Sequence, residues 1–245
     1  MLNAYVYTAP TGLKGFDADT VVDGKNAQKF YAAGYRFAVR YVRRSKNHDY
    51  DLTKKEARDI LSAGLGLMIV QHVAPEGWSP SGRSGKLYGT TAAQEADAIG
   101  IPPGVTVWCD LEGVAANARS ADVIKYANEW HKAVATAGYL PGLYVGWRAG
   151  LSSRQLHDDL RFTHYWSGYN LSADRFPAVR GVQMKQRPAK QADLISGFTS
   201  ESFDVDEIQT DQLGGRPTLL AVADWATELA SPDFSDVRSA SSTTG

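Results

Sequence analysis

The 245-residue chain contains a single cysteine, Cys109. One thiol cannot close an intramolecular disulfide or a thiolate metal cage, so stability must come from packing. Net charge is also scarce: 26 Lys and Arg stand against 27 Asp and Glu, leaving −1. That balance removes the electrostatic case for a nucleic-acid or anionic-membrane binder and favours neutral partners. No apolar run approaches the ~20 residues of a spanning helix, so membrane insertion is not expected. The opening MLNAYVYTAP has neither the basic start nor the apolar core of a secretory signal. The expectation is therefore synthesis in the cytoplasm, with phage-type release or a dedicated export device carrying the protein outward. The five histidines, His48, His72, His131, His157 and His164, show no HExxH spacing, and GxGxxG, GxxxxGK[ST] and GxSxG are all missing. Neither a metal nor a nucleotide cofactor is expected.

Hydrophobic residues make up 43% and charged residues 22% of the chain, ordinary values for a folded globular protein. Short apolar runs alternate with helical patterns, the signature of a β/α architecture with parallel strands. Strands are expected over 13–18, 36–42, 67–73, 105–111, 142–145, 164–167, 181–184 and 203–205, which makes eight. Helices are expected over 23–33, from Thr53 to a stop at Gly64, over 91–99, 121–137 and 153–160. Glu56 follows Thr53 by three residues, as in a capping box. The stretches 171–180 and 187–202 carry prolines and glycines without a 3.6-residue pattern. The expected fold is thus a single irregular (β/α)8 TIM-type barrel over 1–214, with some outer helices shortened or missing. Leu219, Leu220, Val222, Trp225 and Leu229 could line one face of a terminal helix over 215–230 packed on the barrel. The Ser/Thr-rich stretch 231–245 has too little apolar material to fold and is expected to be a flexible tail.

The segment Trp108, Cys109, Asp110, Leu111, Glu112, Gly113 carries the most chemistry. Side chains alternate along a strand, so Asp110 and Glu112 share one face at its carboxyl end, where a barrel holds its active site. Two acids so close cannot both ionise freely; one is pushed towards its protonated form and can act as a general acid beside an ionised partner. Glycosidic bond cleavage needs that division of labour. The same spacing also suits a pair that caps a helix or binds an arginine. Asp17 and Asp19 close the first run, and Asp204 and Asp206 the last, and strands one and eight are neighbours in a closed barrel. Acids from strands one, four and eight would then converge on one mouth. Aromatic rings near the same mouth, Tyr144, Trp147, Trp166, Tyr169 and the loop residue Trp78, are candidates for stacking on sugars, although many aromatics are simply core. Trp78, in a Gly/Pro loop, is the least core-like, and His72 ends the third strand.

The order of these motifs resembles the barrel lysozymes of glycoside hydrolase family 25, the Chalaropsis type, and more closely a glycoside hydrolase-like branch of that superfamily. The resemblance runs from about Gly15 to about Ile208. A first-strand G-[IF]-D pattern is matched by Gly15, Phe16, Asp17, a third-strand YHF pattern only at His72, and a fourth-strand D-x-E by Asp110 and Glu112. Tyr144 and Tyr169 match the tyrosines that end strands five and six. Val182, Gln183, Met184 stand where the seventh strand has WQY, and Asp204 and Asp206 match the final V-D-x-[ND]. The resemblance implies that Glu112 is the acid, that Asp110 positions substrate or stabilises developing positive charge, and that Asp17 and Asp204 complete the acidic mouth. His72, Trp78, Tyr144, Trp166, Tyr169, Gln183 and Asp206 are the expected substrate contacts. The implied partner is an N-acetylated polysaccharide of the peptidoglycan type. The rivals are a glycan- or cell-wall-binding barrel without turnover, and a structural domain of a larger assembly. Val182, Met184 and Gln71, where the family has aromatics, imply altered substrate contacts.

Overall fold

The computed structural model describes residues 2–225. In chain order it runs β1 (Tyr5–Thr8), β2 (Lys14–Ala18), α1 (Gly24–Ala32), β3 (Phe37–Val42), α2 (Lys54–Ser62), β4 (Gly66–Gln71), α3 (Gly82–Ile99) and β5 (Thr106–Leu111). It continues through α4 (Ser120–Thr136), β6 (Leu140–Val145), α5 (Ser153–Asp158), β7 (His164–Ser167), β8 (Met184–Pro188), β9 (Asp204–Ile208) and β10 (Thr218–Ala221). Strands β2 to β9 form a closed eight-stranded barrel with helices between strands, an irregular TIM-type architecture. The last two crossovers hold only 3₁₀ turns, Ala173–Arg175 and Gln191–Asp193.

The period of two divides each strand between two cores. Outward residues such as Phe16, Ala38, Ile69, Val107 and Leu143 pack under the helices. Inward residues, among them Phe37, Val39, Met68, Val70, Trp108, Trp166, Met184 and Ile208, fill the barrel. Large rings fit there because small residues face them: a Cβ at Gly142 would fall on the Trp108 ring, and one at Gly15 on Phe37.

Four departures from the sequence expectations have physical causes. β9 runs antiparallel to both β2 and β8, so the connection after β8 stays at the mouth and β9 descends from it. Asp204 is therefore at the rim as the first residue of its strand, not towards its carboxyl end. β8 begins at Met184, where the expected strand ends. α3 begins at Gly82, nine residues before the expected start, with Ser81 as its N-cap in a capping box with Ser84. Its glycines look like loop residues, but a Cβ at Gly85 would overlap the Tyr126 carbonyl and one at Gly89 the Trp130 backbone; they let α3 lie close on α4. Finally, Leu219 and Leu220 belong to a strand, β10, not a terminal helix. β10 pairs antiparallel with the unforeseen strand β1 and touches β4 at Leu220 and Leu67. Leu219 enters the inner core while Leu220 joins the outer one, so consecutive apolar residues serve two faces. Together with Trp225, Leu219 and Ala221 fill the barrel end opposite the acids. Leu229 and the expected tail lie outside the described residues.

Candidate active site

The mouth is formed by the carboxyl ends of the parallel strands and the amino end of β9. Asp17 on β2 lies opposite Asp204 on β9 in the ladder, and Gln186 on β8 lies opposite Asp206. A cavity of about 390 Å³ is lined by Asp17, Asp19, Tyr41, Tyr169 and Asp204. A second, also about 390 Å³, is lined by Glu76, Glu112, Trp147, Tyr169 and Asn170. Tyr169, 56% exposed, stands between the two. Asp110 lies buried, outside the lining of both. A larger hollow of about 630 Å³ on α3 and α4 shares no lining residue with the mouth.

Glu112 follows the last residue of β5. Its carboxyl is held above the usual range by burial, with the Trp147 backbone N–H opposing that shift. The exclusion of water expected on the Trp108 side accords with that burial, whereas the expected repulsion between the two acids shows on Asp110 rather than on Glu112. Asp110 is pushed well up by burial first, then by the charges of Glu112 and Asp17. Close approach of Glu112 to β6 is possible because a Cβ at Gly146 would fall on Glu112 Oε2. Trp78 holds the same loop from below: its indole N–H donates to the Glu112 carbonyl at 2.8 Å, and its ring lies edge-on to Tyr126 with centroids 4.9 Å apart. The expected free stacking platform is thus a half-buried prop, and the exposed ring beside the acid is Trp147, 45% exposed.

Asp17 is raised to about 7, by burial first and by Asp204 second, against hydrogen bonds that favour its charged form. Gln186 Nε2 donates to Asp17 Oδ2 at 2.8 Å, and Tyr41 Oη donates to Oδ1 at 3.3 Å. Gln186 Oε1 accepts from Tyr144 Oη at 2.9 Å and from the Tyr169 N–H at 3.3 Å. Two donors on the oxygen fix the amide so that its NH₂ faces the carboxylate. Asp204 is raised to about 6 by burial. Asp206, 0% exposed, is pushed well up by burial, then by Asp17 and Asp204. Neither of its oxygens meets hydrogen-bond geometry, although Asp17 and the Trp166 indole lie close enough to act on it. A buried acid without a cation is held neutral.

The expected contacts separate into three groups. Tyr169 reaches the cavities, Tyr144 is buried and acts through Gln186, and Trp166 is 0% exposed, edge-on to Trp108 and Tyr144 in the inner core. His72 is half-buried, bonded through Nε2 to Asp51 at 2.8 Å and 4.8 Å from the Tyr41 ring; burial lowers its pKa, opposed by Asp51. Gln183 is misassigned: it is buried before β8, bonded to the Tyr165 N–H, the Thr163 carbonyl and Asp211. Gln186 takes the place in the mouth. The period of two from the inward Met184 reaches it, once the strand is extended past its expected end. Among the described residues no group of three or more His, Cys, Asp or Glu has metal-holding geometry, and no helix is long and apolar enough to cross a membrane.

The model of the Rv2525c-like, glycoside hydrolase-like domain matches residues 28–212. The chain belongs to this family. Among solved structures, the Tat-secreted protein Rv2525c of Mycobacterium tuberculosis, in complex with L-tartrate, is similar with a TM-score of 0.59 and 16% identity, over 84% of this chain and 98% of that one. A muramidase from Trichobolus zukalii is similar with a TM-score of 0.56 and 15% identity, over 80% of this chain and 93% of the other. A family 25 glycosyl hydrolase from Bacillus anthracis gives 0.54 and 12%, over 82% and 91%. At these identities the likeness is one of fold. No curated protein sequence matches the chain.

Proposed function

We propose that this glycoside hydrolase-like barrel is an active glycoside hydrolase on an N-acetylated polysaccharide, with peptidoglycan as the substrate and a muramidase-like cut. The observation that carries the reading is Glu112: a half-buried acid facing a cavity, its pKa raised, beside a set of carboxyls that ionise at different pH. Glu112, its pKa raised by burial, donates its proton to the glycosidic oxygen. Asp204 and Asp17, raised to about 6 and about 7, ionise near neutral pH. They supply negative charge towards the oxocarbenium-like transition state. Asp110, buried beneath Glu112 and outside the cavity lining, acts on the sugar only through Glu112. The muramidase and family 25 neighbours support the substrate class.

The test is cell-wall clearing together with analysis of released muropeptides for the wild type and Glu112→Gln, and pull-down on the same walls. Glutamine keeps the shape but has no proton to transfer, so hydrolysis should fall about 100- to 10,000-fold while binding persists. Hydrolysis that survives the substitution removes Glu112 as the acid. A wild type that binds walls and never cleaves them is the non-catalytic module.

A further inference from the structure

The cleft extends past the acid. Trp147 and Asn170 line the Glu112 cavity and also a further hollow of about 530 Å³, bounded by the loop after β6 and the 3₁₀ turn after β7. The charges are segregated along this cleft. Asp17, Asp19, Glu201, Asp204, Glu76 and Glu112 line the other two cavities, whereas the lining of this one includes Arg148 and Arg175 and no carboxylate.

Arg148 is built into its place. Its φ of 53 lies in the left-handed region that side chains avoid. The strain is held by the neighbouring turn, where Val114 N–H donates to the Arg148 carbonyl at 3.1 Å and Gly113 N–H to the Trp147 carbonyl at 2.7 Å. Backbone kept in such a conformation by its surroundings is characteristic of ligand clamps and active sites. The guanidinium lies 4.4 Å from the centre of the Trp147 ring, and its one carboxylate contact among the described residues is a long one, 3.5 Å to Glu76, between two exposed groups. Arg175 stands on the other wall, exposed and without an ion pair among the described residues. The nearby acids are engaged elsewhere, Asp174 by the Ser172 hydroxyl and Asp158 by Arg154.

Resting on the glycan-cleaving reading above, we propose that this arm binds a carboxylate carried by the glycan, held between Arg148 and Arg175 while the sugar ring beside it stacks on Trp147. The arm takes the substituent on the side of the scissile linkage away from Asp17 and Asp204. In a peptidoglycan strand that carboxylate has two sources, the lactyl ether of the muramic acid residue and the stem peptide.

Binding is measured by titration calorimetry in the Glu112→Gln background, so that turnover does not blur affinity. Three ligands are compared: uncharged chitin tetrasaccharide, a peptide-free tetrasaccharide alternating N-acetylglucosamine and N-acetylmuramic acid, and the same tetrasaccharide with peptide stems. The free-acid glycan should bind about 10-fold tighter than the chitin fragment, a factor reached by one charge-assisted contact. That ratio should collapse to about one in Arg148→Gln/Arg175→Gln and persist in Arg154→Gln, an exposed α5 arginine outside the hollow. A preference shown already by the peptide-free strand assigns the lactyl carboxylate; one shown only by the stem-bearing strand assigns the peptide. Equal affinity for all three, or a preference that survives the double substitution, overturns the arm and leaves the glycan reading standing. Binding of none of them removes the glycan reading and the arm together.

Discussion

Glu112 and Gly146 work as a pair across two neighbouring strands. Their closeness gives a second probe of the acid. In Gly146→Ala the new methyl would fall on Glu112 Oε2 and also within 2.8 Å of Glu112 Cβ and of the buried Tyr144 ring, so the carboxyl swings out of its backing by the Trp147 N–H and Tyr144 has to give way. A displaced acid costs about 100-fold when geometry is lost by an ångström. Hydrolysis by Gly146→Ala should fall by about that factor, with Tm lowered by the Tyr144 shift; unaltered turnover would show that the Glu112 position is not critical. The mouth acids were legible as residues because strand period and strand ends are local properties. Gln186 was not, since the register that turns it towards Asp17 depends on where β8 pairs with β9.

At the level of elements, Glu56 shows how a local motif is taken over by tertiary structure. Thr53 caps α2 by accepting from the Glu56 N–H, as the spacing predicts, but the Glu56 side chain does not complete the box. It pairs with the fully buried Arg40 at 2.7 Å and accepts from the Val22 N–H at 2.8 Å. Arg40 also donates to the carbonyls of Ala18 and Tyr50. This one pair ties α2 and β3 to the loop after β2, which carries Asp19 into the mouth. Breaking a buried pair strands a charge, so Glu56→Ala should cost about 3–5 kcal/mol in chemical denaturation. A loss under about 1 kcal/mol, the scale of an ordinary cap, would show that Arg40 finds water or another partner.

For the whole molecule, the mouth acids set a pH dependence whose sign is fixed. Asp17, Asp110, Glu112, Asp204 and Asp206 all have raised pKa values, so the folded state binds more protons than the unfolded chain above about pH 4, and stability falls as pH rises. Half-buried His72, His131 and His164 are lowered by burial, His131 to about 4; they act oppositely, but only below about pH 6.5, where unfolded histidine is protonated. Above that pH the acids stand alone. Tm should therefore decline from about pH 6.5 to 8.5, through the titration of Asp17 at about 7. Asp206→Asn keeps the buried shape and removes one ionisation, so it should raise Tm at pH 8 by about 2–4 °C, equivalent to about 1 kcal/mol, and flatten the decline. A flat profile in the wild type, or a variant less stable at pH 8 than the parent, would mean that Asp206 is charged and paired.

Apolar period, capping residues and proline content act over a few residues, so the barrel, the acids at its mouth and the poverty of helix in the last two connections were legible along the chain. Other features depend on contacts between distant segments. Whether β9 descends or ascends cannot be read from five residues whose in-out pattern is the same in both directions. Whether 219–222 forms helix or strand depends on a floor to fill, which exists only once the barrel has closed. Whether an aromatic is a platform or a wall depends on its neighbours: Trp147 and Trp166 are the same residue type, yet one is exposed beside Glu112 and the other is sealed between Trp108 and Tyr144. The upward shift of all five acids is likewise a property of their shared burial, which no pair of them carries in its spacing along the chain.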